Sequence, residues 1–376
     1  MTTARLLLAL GLAFVGQLAS GTADEPDSVP APERIRVSEG GSRFLAGDRP
    51  FVPWGFNYDH DRDGRLIEDY WHEEWPTVRE DFAEMRQLGA NVVRVHLQLG
   101  RFMETAERPN AENLARLKDL LALARENDLR LDLTGLGCYH KADVPAWYDA
   151  LPETERWAVQ GRFWSAVAKT CAHDPTVFCY DLMNEPLAAG GVRDDWLGGA
   201  FAGKHFVQFL SLDPADRDRG AIARDWIRAM TAAIRRHDAE TLITLGLIAH
   251  PPKNPGAFAG ITPEIAAAEL DFICVHIYPE SGKLDDALAM VSGFAKSKPV
   301  VIEETFPLKC SAEELGTFIE RSAVHADGWI GFYWGATPEE LAERDDLGAA
   351  LTRSWLKLFA EGPPSRSVPA PGPARE

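Results

Sequence analysis

Val177-Phe178-Cys179-Tyr180-Asp181-Leu182-Met183 runs without a break into Asn184-Glu185-Pro186. A short, mostly apolar run of this kind fits a strand buried on both faces, and the polar triplet marks where it ends. Further along, Pro299-Val300-Val301-Ile302 runs in the same way into Glu303-Glu304. A carboxylate at the carboxyl end of a buried parallel strand is where a (β/α) barrel keeps its chemistry.

Other runs repeat the pattern. Phe51–Asn57, Ala90–Leu97, Arg130–Thr134, Thr241–Leu247, Phe272–Ile277 and Gly328–Trp334 read as strands, which with the first two makes eight. Amphipathic helices lie between them. Val78, Phe82, Met85 and Leu88 form one apolar face, opened by Pro76 and closed by Gly89. Leu114, Leu117, Leu121 and Ala124 form a second, and Ile222, Trp226, Met230 and Ala233 a third. Eight strand–helix units predict a single-domain α/β fold, a closed (β/α)8 TIM barrel, over residues 34–361. No Gly-x-Gly-x-x-Gly follows a strand, which argues against a dinucleotide-binding sheet. Two segments after strands are long: Tyr58 to Trp75, and Leu187 to Asp218 with Trp196, Phe201, His205, Phe206 and Phe209. In a barrel both lie on the catalytic face, and long loops in compact domains usually serve function.

The ends of the chain have their own character. Arg5, the apolar run Leu6 to Val15 and the small residues Gly21-Thr22-Ala23 read as a secretory signal over residues 1–23. An uncleaved N-terminal anchor is the competing reading, but the run is short for a membrane span. Residues 24–33 read as a disordered linker and 362–376 as a Pro-rich tail. A secreted or periplasmic location, with no membrane attachment after cleavage, is the expectation. The 376 residues are 45% hydrophobic and 26% charged, with a net charge of −18. That charge repels nucleic acid and anionic membranes and suits a neutral ligand. A monomer is expected. Five cysteines, Cys138, Cys171, Cys179, Cys274 and Cys310, show no zinc spacing, and Cys179 and Cys274 read as small apolar residues within strands.

Trp54-Gly55-Phe56-Asn57, Asn91-Val92-Val93-Arg94, Asn184-Glu185-Pro186, His276-Ile277-Tyr278, Glu303-Glu304 and Trp334 together resemble the strand ends of glycoside hydrolase family 5. This is the cellulase and mannanase group of clan A, the retaining (β/α)8 hydrolases. The motifs stand in the family order and span nearly the whole domain. The resemblance implies a secreted retaining hydrolase of β-linked glycans, of β-glucan or β-mannan type, acting on an oligo- or polysaccharide without cofactor or metal. Retention needs one carboxyl to protonate the leaving oxygen and one carboxylate to attack the anomeric carbon. Glu185 is similar to the family acid/base and Glu304 to its nucleophile. Arg94 would keep Glu304 ionised and Tyr278 would orient it. Glu303 is the competitor, because neighbouring strand residues face opposite sides; it would then lie behind the barrel wall. Asn184 matches the asparagine that bonds the sugar 2-hydroxyl, His276 a histidine beside the acid, and Trp334 a stacking platform in the cleaving subsite. Asn57 belongs to the substrate-binding set by the same resemblance.

The pattern departs from the family in two places. Thr134 ends the third strand where many members carry a histidine, and His140, six residues on, is the candidate substitute. Thr305-Phe306 follows Glu304 where an aromatic and a glycine are usual. These departures bear on the sugar and not on the reaction. Asp59, Asp61 and Asp63 resemble half of a calcium loop, but Tyr70 stands at its twelfth position. Trp71, Trp75, Trp147, Tyr148 and Trp196 are candidate outer subsites. A transglycosylase on the same scaffold, or a non-catalytic carbohydrate-binding barrel, are the alternatives.

Overall fold

The computed structural model describes residues 31–58, 61, 63–249, 259–295, 297–332 and 334–365. The signal, most of the linker and most of the Pro-rich tail lie outside the described residues, as does Asp59. Eight parallel strands close into a barrel: β1 (Trp54–Tyr58), β2 (Val92–Gln98), β3 (Arg130–Gly137), β4 (Val177–Asn184), β5 (Leu242–Ile248), β6 (Ile273–His276), β7 (Val300–Thr305) and β8 (Gly328–Gly331). Neighbours in the ring are neighbours in sequence, and β8 pairs with β1 through Trp329 and Trp54. Helices Trp75–Gln87, Ala111–Glu126, Glu153–Cys171, Arg219–Arg235, Pro263–Glu269, Leu284–Phe294, Ala312–Ser322 and Leu347–Phe359 cover the outside. Every residue of β2, β3, β4 and β7 is buried, as strands covered on both faces must be.

The eight expected strands are present, with shifted ends. Arg49–Phe51 belongs to a separate antiparallel sheet with Ile35–Val37 and Phe44–Ala46, which sits at the amino ends of the barrel strands. Phe44 fills that end, with its ring 5.3 Å from Phe178 and 5.0 Å from Phe272. Ile35 and Ala46 complete this lower core with Val92, Leu242, Val301 and Ile330.

The long segment after β4 is not simply a loop. Lys204–Phe209 pairs antiparallel with Leu197–Phe201 and parallel with Pro186–Leu187. The hairpin turns at Ala202 and Gly203, both at positive φ (49° and 81°). That is the two-residue turn which fits strand twist, although its usual marker is Asn-Gly or Asp-Gly. Val207 and Phe209 bury against Leu187, Ala189 and Ala259, anchoring the hairpin on the carboxyl face of the barrel.

Phe44→Ala removes a fully buried ring and is expected to cost about 3–5 kcal/mol. A urea midpoint close to the parent's would show that the small N-terminal sheet is not coupled to the barrel.

Candidate active site

The barrel interior is organised around one cation. Arg94, on β2, is fully buried, and its guanidinium reaches Glu304 Oε1 (2.7 Å), Asp181 Oδ2 (2.7 Å), Asn184 Oδ1 (3.0 Å) and Asn57 Oδ1 (2.9 Å). Glu303 Oε2 lies 3.4 Å away. Although burial disfavours the charge, the surrounding carboxylates hold the guanidinium well above its usual range.

Glu303 is therefore not behind the barrel wall, and strand parity does not separate it from Glu304. The register of β7 slips at this point: Val275 pairs with Ile302, but His276 pairs with Glu304. It slips again against β8, between Ile302 and Thr305. An extra residue on one strand breaks the alternation, so both glutamates point inward. They differ in depth and company. Glu303 is fully buried beneath the site, and despite burial its carboxyl is held down to about 2 by Arg94 and His276. Glu304 sits higher, with Tyr278 donating to its Oε2 at 2.6 Å. Burial pushes the Glu304 carboxyl upward, while His276 and Arg94 pull it back.

Glu185 projects from the residue after β4 with φ at 47°, and its N–H donates to the Gly246 carbonyl at 3.0 Å. Left-handed backbone at a glutamate is costly and persists where surrounding bonds impose it. His276 joins the carboxylates: Nδ1 lies 3.0 Å from Glu185 Oε1 and Nε2 lies 3.2 Å from Glu303 Oε2. Burial opposes its charge, but Glu304, Glu185 and Glu303 together raise its pKa to about 10. It is thus an imidazolium at neutral pH, donating from both nitrogens. Oxygens of Glu185 and Glu304 and a nitrogen of His276 all lie within 4.8 Å of one another.

Of two polar residues at the bottom of the site, Asn57 is wholly used by structural bonds and Asn184 in part. Asn57 donates to the Glu303 and Gly331 carbonyls and accepts from Arg94 and, at 3.1 Å, His96 Nε2. Asn184 accepts from Arg94 and donates to the Phe206 carbonyl at 3.0 Å. Asp181, whose burial lifts its carboxyl to about 6, receives Thr134 Oγ1 and the Gly246 N–H. Asp132 is buried with no N–H or hydroxyl donor at either oxygen. Burial and the charges of Glu303 and Asp181 push its carboxyl well above the carboxylate range. Asp132, Asp181 and Glu303 could by spacing hold a metal ion, but Arg94 already brings a positive charge to Asp181 and Glu303.

Several expected residues lie elsewhere. Trp334 is buried outside the barrel wall, its ring 5.7 Å from Phe56 and its indole bonded to Asp81. β8 ends at Gly331, and the ring beside the cleft from this strand end is Phe332. Among the described residues the His140 side chain meets the Gly64 carbonyl (3.3 Å) and has no bond to the carboxylates. Its neighbour Tyr139 turns inward instead, 2.5 Å from His96 Nδ1. Trp71, Tyr148 and Trp196 are buried and are not open platforms, and Trp75 and Trp147 are half-buried against the core. Asp61 closes a local turn by accepting from the N–H groups of Asp63 and Arg65 and pairing with the Arg65 side chain. Asp132, Asp181, His96 and Tyr139 are the site residues that motif reading passes over. The available signals were charges inside apolar runs, and His96 standing two residues from Arg94 on the same strand face.

Above this polar floor opens a cleft of about 540 Å³ lined by Glu185, Glu304, Tyr278, Phe206 and Phe332. A closed (β/α)8 barrel with paired glutamates facing such a cleft at its carboxyl ends defines a glycoside hydrolase. The chain belongs to the cellulase family, glycosyl hydrolase family 5, whose pattern matches residues 55–311. Over 122 residues it is 30% identical to mannan endo-1,4-β-mannosidase 2 of Arabidopsis thaliana, a match covering 29% of this chain and 22% of that relative. Its fold resembles an exo-β-1,4-mannosidase of Opitutaceae bacterium strain TAV5 (TM-score 0.63, 20% identity, 86% of this chain and 61% of that one). It also resembles the endo-1,4-β-mannanase of Rhizomucor miehei (TM-score 0.60, 16% identity, 88% and 100%). A third likeness is a GH5_18 variant from Streptomyces cattleya solved with Manβ1-4GlcNAc (TM-score 0.60, 17% identity, 83% and 80%).

A Cβ on Gly246 would lie 2.9 Å from each of Arg94, Glu303 and His276. Gly246→Ala should therefore cost about 1–3 kcal/mol by overpacking and displace the carboxylates, lowering activity in the folded protein. Unchanged stability and kcat would show the packing to be slack. The raised pKa of His276 stabilises the fold fully below its unfolded value of about 6.5, and this contribution declines until it is lost above about 10. Urea midpoints of the parent and His276→Asn should accordingly converge as pH rises from 6 to 10. A gap that widened over this range would contradict a charged His276.

Proposed function

We propose that the protein is a secreted, retaining β-glycosidase that needs no cofactor and acts on β-linked mannan- or glucan-type oligosaccharides. Glu185 is its acid/base and Glu304 its nucleophile. The observation that carries this reading is the approach of Glu185 and Glu304 oxygens within 4.8 Å at the base of the cleft. Retaining enzymes hold their carboxyls roughly 5–5.5 Å apart, whereas inverting ones leave about 6.5–9.5 Å for a water. The relatives named for mannan favour a mannosyl unit in the cleaving subsite.

In the first step Glu185, as the acid, gives its proton to the glycosidic oxygen while Glu304 attacks the anomeric carbon. The C–O bond to the leaving group breaks as the glycosyl–Glu304 ester forms. Glu185 is then a carboxylate, a form that the His276 imidazolium supports through its 3.0 Å contact. In the second step Glu185 takes a proton from water, the water oxygen attacks the anomeric carbon, and Glu304 is released. Arg94 and Tyr278 hold one oxygen each of Glu304, fixing it for attack and receiving its charge on release. Glu303 is the structural anion that keeps Arg94 and His276 charged beneath the site. The hairpin Leu197–Phe201/Lys204–Phe209 rises over one side of the cleft, which favours short or terminal substrates.

Glu304→Gln should reduce turnover of an aryl β-mannoside or β-glucoside to background. Glu185→Ala should lose about 10²–10⁴-fold on an oligosaccharide and far less in the first step on an activated aryl glycoside. The released sugar should carry the anomeric configuration of the substrate by proton NMR. Inversion, or an active Glu304→Gln beside a dead Glu303→Gln, would sink the assignment.

A further inference from the structure

The lining of the cleft is divided by chemistry. Its floor is polar, and the groups from β1 to β4 that form it are already bonded to one another. The walls contributed after β4, β7 and β8 are mainly apolar, with Phe201, Phe206, Phe306, Leu308 and Phe332, while Lys204 on the hairpin and Asp63 after β1 are the charged groups of the lining besides the glutamate pair. These rings form a continuous path. Phe201 lies 6.5 Å from Phe206, Phe206 lies 6.4 Å from Phe332, and Phe332 lies 6.3 Å from Tyr278, which bonds Glu304. The path begins in solvent, with Phe201 64% and Leu308 51% exposed. Exposed large apolar residues are costly when clustered, and a rimmed patch of them marks a binding surface. A hydroxylated sugar needs hydrogen-bond partners along its edge, and phenylalanine and leucine side chains offer none.

We propose that the cleft accepts β-glycosides with an apolar leaving group, an alkyl chain or aryl ring that lies along Phe206 and Phe332 and leaves between Phe201 and Leu308. The path ends at the reacting carboxylates, which joins this surface to the scissile bond, and phenylalanine and leucine side chains suit an apolar aglycone better than a further sugar. The hydrolysis is the one written above: the glycosidic C–O bond breaks, Glu185 protonates the alcohol or phenol, and water supplies the hydroxyl of the sugar. This inference rests on the glycosidase reading and names its substrate class.

The test is a homologous series of alkyl β-mannosides and β-glucosides from methyl to octyl, with phenyl glycosides and a mannotetraose alongside. Each methylene moved out of water improves affinity by up to roughly fourfold, so kcat/KM should climb at least ~10-fold from methyl to octyl, mainly through KM. The octyl-to-methyl ratio should fall about tenfold in Phe201→Ala/Leu308→Ala, two exposed positions where folding is not at stake. A phenyl preference that lies in KM, without an alkyl trend, supports the aryl form, whereas one confined to kcat reflects only the better leaving group and overturns the proposal. Turnover of mannotetraose with no dependence on chain length or ring, or a ratio untouched by the double variant, overturns this proposal while leaving the glycosidase standing. No turnover of any glycoside overturns both.

Discussion

The pairing of Arg94 with the carboxylates of Asp181, Glu303 and Glu304 inside a closed barrel is the constraint on which the rest of the structure depends. An unpaired ion at this depth would be prohibitive, so each charge is tolerable only because the others are in place. Arginine suits the position better than lysine, since its planar fork meets Glu304 and Asn57 from one nitrogen and Asp181 and Asn184 from another. The upward push on the Asp132 carboxyl and the raised pKa of His276 belong to the same balance, with His276 drawing Glu185, Glu303 and Glu304 together.

This network also dictates irregularity in the strands. β4 carries one residue more than β5 between Asp181 and Asn184, and β7 one more than β6 before Glu304. A regular strand would present every second side chain to the interior. The slips allow Glu303 to brace Arg94 from below while Glu304 faces the cleft, and they carry Asn184 and Glu185 to the rim. Gly246 stands between the two irregular strands, its N–H on Asp181 and its carbonyl on the Glu185 N–H, with no room for a side chain. Bulges beside active sites commonly re-aim side chains in this way.

The floor and the walls of the cleft answer to different physics. Beneath, polar atoms are consumed in mutual bonds that hold the carboxylates rigid, which is why Asn57 has little left for a ligand. Around the mouth, rings on the hairpin and the strand-end loops stay open to solvent. Rigidity at the reacting centre and an open apolar rim are compatible because the hairpin is anchored separately, by Val207 and Phe209 on its inner face.

Much of this is legible in the chain. Eight apolar runs bounded by breakers spell out the barrel, because strands buried on both faces leave few polar residues to confuse the pattern. Glu185 and the Glu303-Glu304 pair stand out at strand ends, where chemistry in this fold gathers, and the family resemblance adds Arg94, His276 and Tyr278. Other features depend on long-range packing. Parity predicts a buried Glu303 behind the wall, and only the register between β6, β7 and β8 reverses that. Trp334 stands at a strand end in sequence, yet β8 stops at Gly331 and the ring turns outward to Phe56 and Asp81. Ala202-Gly203 does not announce a hairpin, because alanine is a poor marker of positive φ; the burial of Val207 and Phe209 holds the turn. The sequence by itself determined the fold class and the candidate carboxylates at the strand ends, through patterns local to each strand. The tertiary structure decided which neighbour faces the cleft and what lines it, because those depend on the register between adjacent strands, as at His276 and Glu304, and on ring contacts between distant segments, as at Phe206 and Phe332.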